Sequence, residues 1–120
     1  MHSLNTETGE ILWSTITDKE CKEIDINCDP GISAAVTAVP GAVIAGHLDG
    51  MIRVYDKDNG DILWSFNSLG EYESISGTPA SGGSFSGSGP SVRNGFMAIN
   101  SGYGIYNHMP GNALLLFSIE

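Results

Sequence analysis

The chain has 120 residues, 41% of them hydrophobic and 16% charged, which makes it one ordinary domain or a piece of a larger one. Five basic residues against fourteen acidic ones leave a formal charge of −9, a surface that repels phosphate and argues against nucleic acid or an anionic membrane as a partner. No apolar run approaches the roughly 20 residues that cross a bilayer, so no membrane span is expected.

The 16 glycines are about double the ordinary usage of about 7%, and they announce many turns and short strands. The opening stretch, MHSLNTETGEILW, has no basic segment followed by an apolar one and does not read as a signal peptide. It begins in the middle of a repeat unit, so a longer reading frame is expected. Residues 3–13, SLNTETGEILW, recur as 54–64, VYDKDNGDILW, with Trp13 and Trp64 in register 51 positions apart. In each copy a strand ends on Asn5 or Asp56, whose side chain can accept backbone N–H bonds in the turn. Gly9 or Gly60 then takes the positive φ that a tight hairpin needs, and a short apolar strand closes on Trp. These are two copies of one hairpin.

Cys21 and Cys28 follow in a polar, acidic loop. Their spacing fits neither CxxC redox chemistry nor a tetrahedral zinc site, which needs two more ligands. An even pair in a loop reads as a local disulfide in an oxidising compartment, with two free thiols as the alternative. Residues 25–29 carry the alternating oxygens that begin an EF-hand loop. Pro30 stands where that loop needs Gly and Val36 where it needs Glu, so calcium binding by this mechanism is rejected.

Residues 33–39 (SAAVTAV) predict a strand of small and β-branched side chains. A Pro40-Gly41 turn, a second strand over 42–46, an HLDG turn over 47–50 and a third strand over 51–56 follow. The repeated turn then leads to a fourth strand over 62–66. Four antiparallel strands with a pitch near 50 residues are the pattern of a propeller blade. The Gly/Ser-rich stretch 76–90 lacks a phosphate-cradling motif and reads as a flexible lid or rim. A second round starts near Pro90, with strands over 96–100 and 114–119. The expected organisation is the end of a blade over 1–17, one complete blade over 32–67 and an incomplete last blade over 88–120.

The eleven-residue pattern resembles the tryptophan docking repeat, A-x-[DN]-x-x-T-G-x-x-x-W, of the eight-bladed quinoprotein alcohol dehydrogenases. Ser3 and Val54 replace its usual Ala, and Asn59 replaces its usual Thr. The segments SAAVTAVPGAVIAGHLDGMIRVYDKDNGDILWSF and GSGPSVRNGFMAINSGYGIYNHMPGNALLLFSIE are similar to the C-terminal portion of the polyvinyl alcohol dehydrogenase branch. The resemblance covers nearly the whole chain and is weakest over 18–29 and 70–86.

It implies an all-β, partial β-propeller: the C-terminal blades of an eight-bladed quinoprotein-type ring, built of four-stranded antiparallel blades. Trp13 and Trp64 would be structural wedges between blades. The parent would be a periplasmic or secreted quinoprotein that oxidises a small or polymeric alcohol with pyrroloquinoline quinone and calcium. It would pass electrons to an acceptor such as a cytochrome c. The CxxCH of an attached haem domain is absent from this stretch. The alternative is a non-catalytic propeller of the same repeat family, of the outer-membrane assembly lipoprotein type, which binds proteins and the remaining blades of its own ring.

Strand polarity points to a site independently of that resemblance. The long connections, 15–32, 67–89 and 102–112, all emerge at one end of the blades, opposite the tight turns, and function concentrates on loops held by a rigid scaffold. Rim candidates there are Asn100, Tyr103, Asn107 and His108 in NSGYGIYNHMPGN, with His47 and Asp49 of the HLDG turn at the same end. The catalytic base and the calcium ligands cannot be placed on this segment.

Overall fold

The computed structural model of the chain describes residues 1–18, 20–21, 27–104 and 106–119. Asp25 and Ile26, at the start of the EF-hand-like stretch, lie outside the described residues. The described residues contain no helix. Strands β1 (His2–Leu4) and β2 (Ile11–Ser14) pair with each other. Strands β3 (Thr37–Val39), β4 (Ala42–Gly46), β5 (Met51–Asp56) and β6 (Ile62–Asn67) form one sheet in sequential order. A small hairpin joins β7 (Glu71–Glu73) to β8 (Pro79–Ser81), and β9 (Ser91–Arg93), β10 (Phe96–Ser101) and β11 (Ala113–Ser118) complete a three-stranded sheet. Every pairing is antiparallel, and the architecture is that of a partial propeller with β3–β6 as a four-stranded blade.

The repeated hairpin is the same in both copies down to its hydrogen bonds. Asn5 Oδ1 accepts from the amides of Glu7 (2.8 Å) and Thr8 (3.1 Å), and Asp56 Oδ1 accepts from Asp58 (2.8 Å) and Asn59 (3.3 Å). Gly9 and Gly60 carry φ of 74° and 78°, the left-handed region that a side chain resists. A bulge precedes each turn, between Ser3 and Leu4 and between Val54 and Tyr55.

The β1–β2 hairpin and the β3–β6 sheet are joined at this turn. Trp13 Nε1 donates to the Lys57 carbonyl at 2.8 Å, and Thr15 Oγ1 donates to the Gly60 carbonyl at 2.6 Å. The Trp13 ring lies so close over Gly60 that a Cβ there would run into it. Gly60 is therefore required twice, for its φ and for the space above it.

On its other face the β3–β6 sheet packs against β9–β11. Ile44 and Ile52 meet Ile99 in a buried cluster with Ala34 and Phe85, flanked by Val54, Phe66, Met97, Leu115 and Phe117. Phe117 meets Phe66 edge to face at 5.0 Å between ring centres and Trp64 at 5.6 Å. Near the inner strands, Thr37 Oγ1 donates to the Pro90 carbonyl at 2.5 Å. Trp64 is thus seated on Phe117 while remaining 41% exposed.

Two expectations change. The first strand of the blade is short, Thr37–Val39, because the backbone before it bends where Ala35 passes against Gly89, a crossing that a Cβ at Gly89 would block. The stretch 76–90 is not a flexible lid. It begins with the β7–β8 hairpin, and residues 82–85 then run through the interior, where Phe85 fills the core at 1% exposure. Its glycines are needed for space: a Cβ on Gly82 would overlap the Ser68 carbonyl, and one on Gly83 the carbonyls of Met109 and Pro110.

This packing predicts that Phe85→Ala lowers stability by about 3–4 kcal/mol, as deletion of a buried aromatic does. Gly82→Ala, which adds one methyl group against fixed backbone, should cost at least about 2 kcal/mol. Urea unfolding of the two variants beside the parent checks both. A mobile segment would register neither change.

Candidate functional site

The loop end of the blades is held together by a belt formed by residues 81–85. The Ser84 hydroxyl donates to the Leu48 carbonyl at 2.5 Å and accepts from the Met109 amide at 3.0 Å, so one side chain ties the 47–50 turn to the 102–112 loop. The Phe85 amide donates to the His47 carbonyl (3.1 Å), the Ser84 amide to Met109 (2.9 Å), and the Gly102 amide to the Ser84 carbonyl (2.9 Å). Ser68 and Ser101 share a hydroxyl contact at 2.8 Å beneath the belt, and Ser101 also holds both polar atoms of the Gly83 backbone. Sequence reasoning missed all three serines. The available signal was Phe85, a lone aromatic inside a Gly/Ser run.

The structure separates the candidate residues into two groups. His47 and Asp49 lie beneath the face, at 1% and 0% exposure, instead of on its rim. The Asp49 carboxylate receives a forked pair of hydrogen bonds from Arg53, at 2.7 and 3.1 Å, together with the Met51 amide at 3.1 Å. It also receives the Glu20 amide at 3.4 Å. A carboxylate with that set of donors is a structural clamp on the turn, because a buried charge is tolerated when paired and hydrogen-bonded.

His47 is equally occupied. Its Nδ1 faces the Pro30 carbonyl at 2.7 Å, and a carbonyl can only accept, so Nδ1 carries the proton. In the neutral ring Nε2 is then the acceptor of the Tyr55 hydroxyl at 2.9 Å. Burial pushes the imidazole below its ordinary value; the Pro30 bond opposes this, Arg53 reinforces it, Asp49 opposes it and the N-terminal ammonium reinforces it. Burial likewise pushes the Tyr55 phenol up.

The second group is at the surface. Tyr103 is 58% exposed and its hydroxyl donates to the Asn112 carbonyl at 2.8 Å, which braces the loop across its own base. Asn100 and Asn107 are exposed. His108 stands edge to face with Tyr106, 6.0 Å between ring centres, and Tyr106 holds a positive φ of 67°. A crevice of about 80 Å³ opens among Ser84, Ser86, Gly87, Ser88, Asn100 and Tyr103. Ser86, which lines it, has its Oγ buried with no hydrogen-bond partner among the described residues, and the same holds for His108 Nδ1 in the 102–112 loop. Both lie near Gly104, where a Cβ would overlap Ser86 Oγ and lie 3.7 Å from His108 Nδ1.

No group of three His, Cys, Asp or Glu side chains converges among the described residues in a way that could hold a metal ion. Asp49, the buried carboxylate at this end, is committed to Arg53. Cys21 and Cys28 are disulfide-bonded, with their Cα atoms 6.1 Å apart. The bond lies in the loop that reaches the 47–50 turn, where the Leu48 amide donates to the Gly31 carbonyl at 2.9 Å.

No protein-family model matches the chain. Along its whole length it is 33% identical, over 130 aligned positions, to a polyvinylalcohol dehydrogenase of a Pseudomonas species. Over 98% of its length it is 30% identical to a polyvinylalcohol dehydrogenase of Sphingopyxis sp. (strain 113P3). In both cases it spans 20% of the relative's own length. The chain is homologous to a segment of these dehydrogenases, in agreement with the resemblance carried by the docking repeat and the NSGYG and PGN stretches.

The state of His47 makes a prediction with a definite sign. Its folded value is depressed, so the unfolded chain takes up the proton first as pH falls. Stability held by the neutral ring is complete above about pH 6.5 and is lost below it, with a slope of up to about 1.4 kcal/mol per pH unit. Urea midpoints between pH 8 and pH 5 should show this slope, and His47→Gln should remove it. A slope that persists in the variant assigns the proton elsewhere.

Proposed function

We propose, from the premise that this chain is homologous to about a fifth of a polyvinylalcohol dehydrogenase, that it is a C-terminal stretch of a quinone-dependent alcohol dehydrogenase. The parent protein would oxidise a small or polymeric alcohol with pyrroloquinoline quinone and calcium, work in the periplasm or outside the cell, and hand electrons to an acceptor such as a cytochrome c. The observation that carries this reading is the likeness to two such dehydrogenases along the whole chain.

Within that protein the segment has two proposed roles. The first is blade closure. Strand β11 pairs with β10 on one side, whereas its counterpart β5 also has β6 on the other. A groove of about 750 Å³ runs beside β11, lined by Leu114, Leu116, Ala80 and Tyr72, and it has room for an outer strand supplied by the rest of the ring. The second role is to form part of the rim on the loop face, through Asn100, Tyr103, Asn107 and His108. His47 and Asp49 serve that rim from below by fixing its backbone.

The residues described here do not fit a calcium site, since the one buried carboxylate at the loop end already pairs with Arg53. Nor do they offer free cationic groups there for an acidic quinone: Arg53 is held by Asp49 and Lys57 lies at the opposite, tight-turn end. In this reading the cofactor-holding groups and the base that takes the alcohol proton therefore lie outside the described residues. The segment's own work is to support and shape.

The test is to express the intact protein that carries this chain, load it with pyrroloquinoline quinone and calcium, and follow dye-linked oxidation of polyvinyl alcohol and pentane-2,4-diol. Dye reduction that depends on both additions is expected. Its absence after both have been added would sink the dehydrogenase reading and leave the protein-binding propeller as the better one.

A further inference from the structure

We propose that the crevice between Ser86 and Asn100 is a hydroxyl-binding subsite that holds one unit of a neutral polyhydroxylated chain. The inference rests on the reading of the loop face as a substrate rim, and it names the chemistry that this rim takes.

The starting point is which polar groups are already engaged. Around the belt the buried hydroxyls have partners: Ser84 bridges Leu48 and Met109, while Ser68 and Ser101 bond each other and the Gly83 backbone. Ser86 Oγ and His108 Nδ1 do not. A buried polar atom left unsatisfied costs about 1–3 kcal/mol, so two of them near Gly104 point to a ligand that satisfies them. The mouth above is polar as well, with Ser88, Asn100 and the Tyr103 edge exposed around it.

The donor set selects the ligand. None of the six residues around the crevice is charged, so neither an anion nor a cation would find a counter-charge there. The chain's charge of −9 further disfavours an anion. An alcohol oxygen both donates and accepts, and it can therefore complement the Ser86 hydroxyl and the Asn100 amide that line the crevice, whichever way each is turned. The volume of about 80 Å³ is that of two to three waters at about 30 Å³ each, or one hydroxyl-bearing carbon with its neighbour. Larger ligands would have to continue along the surface past Asn100, as a polymer does.

Gly104 makes the idea testable without disturbing the scaffold. Its backbone is not in the left-handed region, and the atom that an added Cβ would displace is the Ser86 hydroxyl, the end of a short side chain. The other contacts of that Cβ, with His108 Cβ at 3.5 Å and Nδ1 at 3.7 Å, are ordinary. Gly104→Ala thus places a methyl group against the Ser86 hydroxyl that lines the crevice. Ser86→Ala removes that hydroxyl, a change expected to be neutral or stabilising for the fold.

Binding is measured by calorimetry and saturation-transfer NMR on the intact protein, free of quinone and electron acceptor. The probes are a short polyvinyl alcohol oligomer and polyethylene glycol of equal length, whose ether oxygens accept but cannot donate. The alcohol oligomer should bind at least 10-fold more tightly than the glycol. Ser86→Ala should weaken it roughly 3- to 10-fold, the worth of one hydrogen bond, and Gly104→Ala should abolish it, with thermal unfolding unchanged in both variants. Equal binding of the two polymers, or full affinity in Ser86→Ala, overturns the subsite. If oligomer binding follows this pattern in a protein that proves inactive, the subsite stands and the dehydrogenase reading falls. An active enzyme whose KM for the polymer is unchanged in Ser86→Ala has the opposite meaning.

Discussion

A four-stranded sheet that is apolar on both faces cannot be left in water on either, and the whole arrangement follows from covering the β3–β6 blade twice. On one side the Trp13 ring is clamped over the Gly60 turn and anchored by its indole N–H on the Lys57 carbonyl. On the other the cover is the Phe66–Phe117 seam with Phe85 driven into its end. The first cover is narrow and directional, a ring laid on a glycine; the second is broad and made of dispersion and apolar burial. Because both act on the same blade, the repeat must propagate: each sheet is a partner for the next and none is stable alone.

That requirement explains why the two ends of the blades differ. At the tight-turn end the docking contact needs the short hairpin with its glycine, so insertions there would dislodge the tryptophan. The equivalence of the Lys57–Gly41 and Ile119–Gly95 backbone bonds shows how closely that end is copied from one blade to the next. The loop end has no such contact to protect and carries every long connection. There the backbone is organised by polar crossings, with the Ser84 and Ser68 hydroxyls where the other end has an indole.

The legibility of these features in the sequence follows the range of the forces behind them. The hairpin could be read from residues 3–13 and 54–64 because its determinants, an Asn or Asp cap and a left-handed glycine, act within six residues. The strands of the β3–β6 blade could be read from turn residues and β-branched runs for the same reason. The role of 82–85 could not. Its glycines carry the composition of a flexible segment, but they are small because Ser68, Met109 and Pro110 come up against them, and those contacts are long in sequence. The depth of His47 was hidden similarly: the turn residues are local, but what covers them arrives from Pro30 and Phe85.

Hydrogen-bond capacity then separates structural from functional polar groups more sharply than residue type does. His47 and Asp49 look like chemistry in one dimension, yet both histidine nitrogens are engaged and the carboxylate accepts four hydrogen bonds, so neither can serve a ligand without releasing the turn it holds. Ser86 looks like one more serine in a low-complexity run. Its oxygen and the His108 nitrogen are what the belt leaves unsatisfied, while the Ser68, Ser84 and Ser101 hydroxyls are used. A scaffold that satisfies Ser68, Ser84 and Ser101 so fully has the means to satisfy Ser86 as well. That it does not, in the lining of a crevice on the face bearing all the long loops, is the reason to place recognition there and not at the more conspicuous buried pair.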